Sequence, residues 1–210
     1  MAINLDTIRE KSWASVRKLG LIENPSLPLL DGQLELRTQD EICCRLLAML
    51  PCAASAYGFP IDKARRWVED NERLWCMLTP HEKSFLTGKN TDTTAFKLQV
   101  EAMWALAWVL SVSDDLSPHH LCPENFVEML PDLKTEESPE MFRKKADLRS
   151  ENEIVAMLDF YYCVHWSLKE RYLAATSDLS QLKLEIIEER RRALEWVTGE
   201  EDWSELSLDT

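Results

Sequence analysis

Apolar residues along this chain recur at helical spacing, in stretches that stop at a glycine or a proline. Ile8, Trp13, Val16 and Leu19 fall on or near one face of a helix predicted over about 5–19, which Gly20 closes. A loop with Pro25 and Pro28 follows, so positions 1–29 read as an N-terminal helix and loop. A second helix starts at Thr38, carries Ile42, Leu46, Leu47 and Leu50, and ends near Gly58; Pro51 should kink or interrupt it. Trp67 and Leu74 share a stripe on a third helix predicted over about 62–74. The fourth opens at TPHE, 79–82, with Thr79 as cap, Pro80 in the first turn and Glu82 completing a capping box.

The fifth helix, predicted over 94–113, begins amphipathic and becomes apolar on every side after Glu101. A helix apolar all round belongs at the centre of a fold. After a turn, DDLSPHH, comes a short helix near 123–129. The polar stretch 135–147 is the expected mobile insert, with Met141 and Phe142 able to pin it. Two long helices, predicted over about 151–175 and 179–198, end at Gly199, and a tail carrying Trp203 follows. No segment alternates apolar and polar residues as a half-buried strand does. The expected architecture is all-α: a single-domain multi-helix bundle over 1–210 with a buried central helix near 94–113 and two long C-terminal helices.

LRTQDEI at 36–42 and LRSENEI at 148–154 are nearly the same heptapeptide. Each places a hydroxyl (Thr38, Ser150) three residues before a glutamate (Glu41, Glu153), the capping-box spacing. Two copies of one helix-start device are the simplest reading, since the similarity ends after the isoleucine. The arginines, Arg37 and Arg149, sit where the helix dipole disfavours a cation, so a carboxylate elsewhere is expected to hold each.

Charge then narrows the function classes. Against 24 Lys and Arg stand 37 Asp and Glu, a net charge of −13. Such a surface repels phosphate backbones and anionic membranes, so nucleic acid is not an expected partner. The longest apolar run, AMWALAWVLSV at 102–112, is far short of a bilayer span of about 20 residues. Six cysteines without CxxC spacing, and no leader pattern at the start, fit reduced thiols in the cytoplasm.

Motifs for chemistry are sparse. HEKSF lacks the second histidine of a zinc-binding helix, and His119, His120 and Cys122 form only a weak HHxC cluster, so no metal or cofactor is expected. Five separated glycines cannot build a phosphate loop. The densest set of functional side chains lies on the last two long helices. The candidate pocket there comprises Arg149, Asp159, Tyr162, His165, Trp166, Glu189 and Arg190. One or two of Arg190, Arg191 and Arg192 are expected to neutralise Asp159 or Glu153. On a helix His165 is displaced from Asp159 by about 120°, which does not suit joint metal ligation.

LRSENEI, the Asp159, Tyr162 and His165-Trp166 series, ERRRALEW at 189–196, Trp203 and the terminal Asp209-Thr210 together resemble the family called domain of unknown function 4272. LRTQDEICCRLLAM (36–49) and LTPHEKSFL (78–86) resemble it too, so the likeness covers roughly 30–210. Cys163 stands where the family pattern has a basic residue. The resemblance implies a bacterial, mostly helical, cytoplasmic domain without an assigned reaction or catalytic residues.

The leading functional reading is therefore a non-enzymatic acidic domain that binds a basic protein, as an inhibitor or immunity-type partner would. The alternative is a small-molecule or hydrolytic site between the last two helices. Self-association into a homo-oligomeric scaffold is a third reading.

Overall fold

The computed structural model describes residues 3–32, 34–173 and 182–208, and among them there are helices and no strands. Ten α-helices follow one another: α1 (Leu5–Lys18), α2 (Gln39–Ala56), α3 (Ile61–Glu69), α4 (Glu72–Met77), α5 (Pro80–Leu86), α6 (Thr94–Leu98), α7 (Val100–Val109), α8 (Glu140–Lys145), α9 (Glu151–Leu173) and α10 (Leu184–Thr198). A 3-10 turn, Glu124–Met129, lies between α7 and α8. The chain is an all-α single domain, as its apolar periodicity predicts.

Helix α7 is the centre. Every residue from Glu101 to Val109 is buried, and α10 packs along it, with α9 against α10 and α1 against α9. The predicted helix over 94–113 divides in two at Gln99, which is both the end of α6 and the cap of α7. It also stops early: Ser111 adopts a left-handed φ of 54°, and the Val112 amide turns back to the Ala107 carbonyl. The expected helix over 62–74 is likewise broken, because the Asn71 side chain takes the Trp67 carbonyl that a continuing helix would use.

Pro51 does not interrupt α2. Residues 42–53 are buried, so packing on all sides holds the helix through one missing amide. The polar stretch 135–147 contains α8, whose Phe142 is buried while Met141 is exposed, and the Trp67 indole donates to the Glu137 carbonyl. The predicted ends at 174–175 and 179–181 lie outside the described residues; Leu182 and Lys183 precede α10 without helical conformation.

Both heptapeptides form capping boxes: Thr38 with Glu41 and Ser150 with Glu153 exchange bonds between side chain and backbone. Their arginines, however, are held mainly by carbonyls rather than by the expected carboxylates. The Arg37 amide donates to Val197 O at 2.9 Å, its Nε to Trp196 O at 2.7 Å and its Nη2 to Glu201 O at 2.7 Å. The Arg149 amide donates to Val109 O at 2.9 Å, its Nε to Trp108 O at 2.7 Å and its Nη2 to Ser113 O at 2.8 Å. Each guanidinium also covers the indole of that tryptophan, at 4.3 and 4.6 Å. Each copy therefore caps the C-terminal end of a different helix, where a cation meets the negative end of the dipole. Arg149 adds exposed pairs with Asp114 and Glu153.

The two capped helices are themselves alike. EAMWALAWV (101–109) and ERRRALEWV (189–197) share Glu, Ala, Leu, Trp and Val at the same positions. The arrangement is reciprocal: the heptapeptide before α2 caps α10, and the one before α9 caps α7. Two segments, 36–109 and 148–197, each opening on the heptapeptide and closing on this helix motif, thus clasp each other by like bonds at the ends of α7 and α10.

Candidate functional site

The seven residues expected to form a pocket are distributed over four places. Arg149 sits at the start of α9, engaged with Trp108 and the chain after α7. Asp159, Tyr162, His165 and Trp166 run along one side of α9. Asp159 is taken by Arg9 of α1, whose Nε and Nη2 reach Oδ1 at 3.0 and 2.8 Å while the guanidinium also binds the Leu27 and Pro28 carbonyls. It is therefore Arg9, and none of Arg190, Arg191 or Arg192, that neutralises Asp159. Arg9 and Arg191 flank the Tyr162 ring at 5.5 and 4.6 Å, and Trp166 meets Trp13 edge to face.

His165 is 1% exposed and lies between Arg191 and Glu188. Arg191 Nη1 approaches Nδ1 at 2.6 Å, so that nitrogen accepts and Nε2–H faces Glu188 Oε1 at 3.2 Å. Burial and the neighbouring Arg191 and Lys169 charges push its pKa down to about 3. A histidine so locked as the neutral ring is a structural acceptor, with no proton to exchange near neutrality.

Arg190 points the other way, to α7. Its Nε and Nη2 reach Glu101 Oε2 at 2.9 and 2.7 Å, and Nη1 donates to Tyr161 Oη at 3.0 Å and the Ser117 carbonyl at 2.7 Å. The other Glu101 oxygen accepts from the Cys122 amide. His120 turns to Asp115, and among the described residues no group of His, Cys, Asp and Glu is placed to hold a metal ion. Burial pushes the thiols of Cys43 and Cys122 up to about 12, and those of Cys44, Cys52 and Cys163 up as well, which removes their thiolates as nucleophiles.

Glu189 is the exception in the set. It faces a hollow of about 380 Å³ lined also by Gln99, Glu82, His81, Arg192 and Trp203. On the other side of Trp203 lies a second hollow of about 370 Å³, lined by Arg37, Arg45 and Trp196 among others. Beneath both runs one buried polar chain. Arg45 Nη1 and Nη2 hold the two Glu82 oxygens at 2.9 and 2.6 Å, and Gln99 Nε2 donates to Glu82 Oε1 at 2.7 Å. Burial raises the Glu82 carboxyl, but Arg45, the Thr79 amide and Gln99 outweigh it and hold the pKa below the usual value. Trp203 lies over the Arg45 guanidinium at 4.4 Å.

That chain is incomplete at both ends. Arg45 Nε and Gln99 Oε1 are buried without a partner among the described residues. The Glu189 carboxyl, pushed up by burial and only partly offset by Arg192, has that arginine at 3.6 Å. Glu82 is legible in the sequence as a capping residue; its meeting with Gln99, Glu189 and Trp203 is not, because α5 and Gln99 are distant in sequence from α10 and the tail. A larger open groove of about 860 Å³, with Ile8, Trp108, Met157 and Phe160 in its walls, separates α1 from α9.

No curated protein and no solved structure matches the chain. A family model does, that of the Domain of unknown function (DUF4272), over residues 8–206, which takes in most of α1 and every motif that carries the resemblance except the terminal Asp209-Thr210. The clasped segments, the arginine-tied N-terminal helix and the Trp203 tail are therefore the architecture of a DUF4272 member, and the chain belongs to that family.

Proposed function

We propose that this domain is a non-enzymatic acidic interaction module whose partner is a basic protein, in the manner of an inhibitor. One observation carries the reading. Among the described residues folding buries four arginines (Arg9, Arg45, Arg190, Arg191) but only three carboxylates (Glu82, Glu101, Asp159), so their acid excess stays outside. Glu200, Glu201, Asp202 and Glu205 of the tail are all exposed. So are Glu124 and Glu128, beside the exposed apolar side chains of Leu121, Val127 and Met129. Acidic groups around exposed apolar ones suit a basic, partly apolar protein surface, and the charge accelerates encounter.

The polar groups inside argue the same way. Asp159, His165 and Arg190 are saturated by structural partners, and the buried thiols are held protonated. The test is capture on the tagged full chain from lysate of its host, at low and high salt, followed by reconstitution with the purified partner. A stoichiometric basic protein whose affinity falls with salt supports the reading. Recovery of the chain alone, or of a partner whose binding ignores salt, defeats it. No helix among the described residues is long and apolar enough to cross a membrane.

A further inference from the structure

The two copies of the helix motif differ in how their first glutamate is held. Glu101 and Glu189 occupy the same position of the repeated helix motif, and α7 and α10 pack against each other. Glu101 receives a guanidinium, because Arg190 on the facing helix reaches across to it and is also held by the Ser117 and His120 carbonyls. The position on α7 equivalent to Arg190 is Ala102, whose methyl group cannot return the contact. Glu189 is left with Arg192 at 3.6 Å, whose Nη1 instead donates to the Leu206 carbonyl. Beside Glu189 lies the hollow of about 380 Å³.

A second observation points to what that hollow takes. Gln99, 8% exposed, lines it and carries a buried oxygen with no donor among the described residues. Glu189 and Gln99 thus present acceptors, and the wall opposite is the Trp203 indole in the acidic tail. Of the other charges present, Arg45 is neutralised by Glu82, and Arg192 sits at the rim with its side chain 30% exposed, able to turn outward. Two acceptors beside an aromatic wall match a planar, multi-donor cation.

We propose that the hollow between Glu189, Gln99 and Trp203 is the anchor site for an arginine side chain of the basic partner, the guanidinium taking beside Glu189 the role that Arg190 takes beside Glu101. The proposal rests on the interaction reading above and adds the residue by which the partner is held.

The probe is Nα-acetyl-L-arginine amide, titrated into the isotopically labelled full chain and followed by NMR at the Trp203 indole and the Gln99 side-chain amide. Saturable shifts at both are expected. The citrulline analogue, which keeps the shape but loses the charge, should bind about tenfold more weakly or less, as should Glu189→Gln, for the loss of a charge-assisted hydrogen bond. The exposed Glu185→Gln should bind as the parent chain does. Absence of saturable shifts, or equal binding of citrulline, overturns the proposal. If Glu189→Gln does not fold, Gln99→Met removes the second acceptor and is read the same way. Retention of a salt-sensitive partner equally by Glu189→Gln and the parent chain would sink the anchor while sparing the interaction module; probe binding without any partner would sink the module alone.

Discussion

Arg45 holds Glu82 through two hydrogen bonds, 2.9 and 2.6 Å long, with both side chains no more than 2% exposed. The pair joins α2 to α5, and Glu82 also closes the α5 capping box, so one carboxylate serves a helix start and a buried ion pair. Removing it leaves an uncompensated guanidinium under Trp203. Glu82→Ala should destabilise the chain by about 3–5 kcal/mol, the usual cost of breaking a buried pair. Urea unfolding measures this, and the double variant Arg45→Met, Glu82→Leu should lose less than Glu82→Ala does.

Arg37 and Arg149 make matching bonds at the ends of α10 and α7, two from each guanidinium and one from each backbone amide. Arg37→Met and Arg149→Met should therefore cost similar amounts, about 1.5–3 kcal/mol each, because each removes charged hydrogen bonds to helix carbonyls. The arginines share no partner, so the double variant should lose their sum to within about 0.5 kcal/mol. A large inequality between the single variants would show that the two segments are not equivalent in energy.

His165 sets a pH dependence. Its folded pKa, about 3, lies below the ordinary value of 6.5, so the unfolded chain binds the proton more readily. Its contribution is full above about pH 6.5 and is lost progressively as the pH falls toward 3, with a slope approaching about 1.4 kcal/mol per pH unit. Denaturation at a series of pH values should show this slope, and His165→Gln should remove it.

Thiol reactivity should separate the cysteines. Cys76 is exposed, whereas Cys43, Cys44, Cys52 and Cys163 are buried. A maleimide applied to the native chain should label Cys76 first, with the four buried thiols reacting only on unfolding, as mass spectrometry of peptides would record. Rapid native labelling of Cys163 would mean that the Arg9–Asp159 side of α9 opens readily.

Local spacing along the chain specified the all-helical class, the capping boxes at Thr38, Thr79 and Ser150, and the burial of the segment that becomes α7, but not the breaks at Asn71 and Gln99 or the helix α8. These depend on spacing within a turn or two, where chemistry and position are both local. The sequence also carried the second repeat, Glu-x-x-x-Ala-Leu-x-Trp-Val, legible once the helices ending at Val109 and Val197 are compared. Which charge meets which was settled by long-range packing. Arg9 rather than a member of the 190–192 run takes Asp159, Arg37 and Arg149 find helix carbonyls, and Glu189 faces a hollow with Gln99 and Trp203. The reason is that an ion pair is fixed by the distance between two folded surfaces. Among 24 cations and 37 anions the sequence allows many pairings, and packing of α1, α7, α9 and α10 admits one.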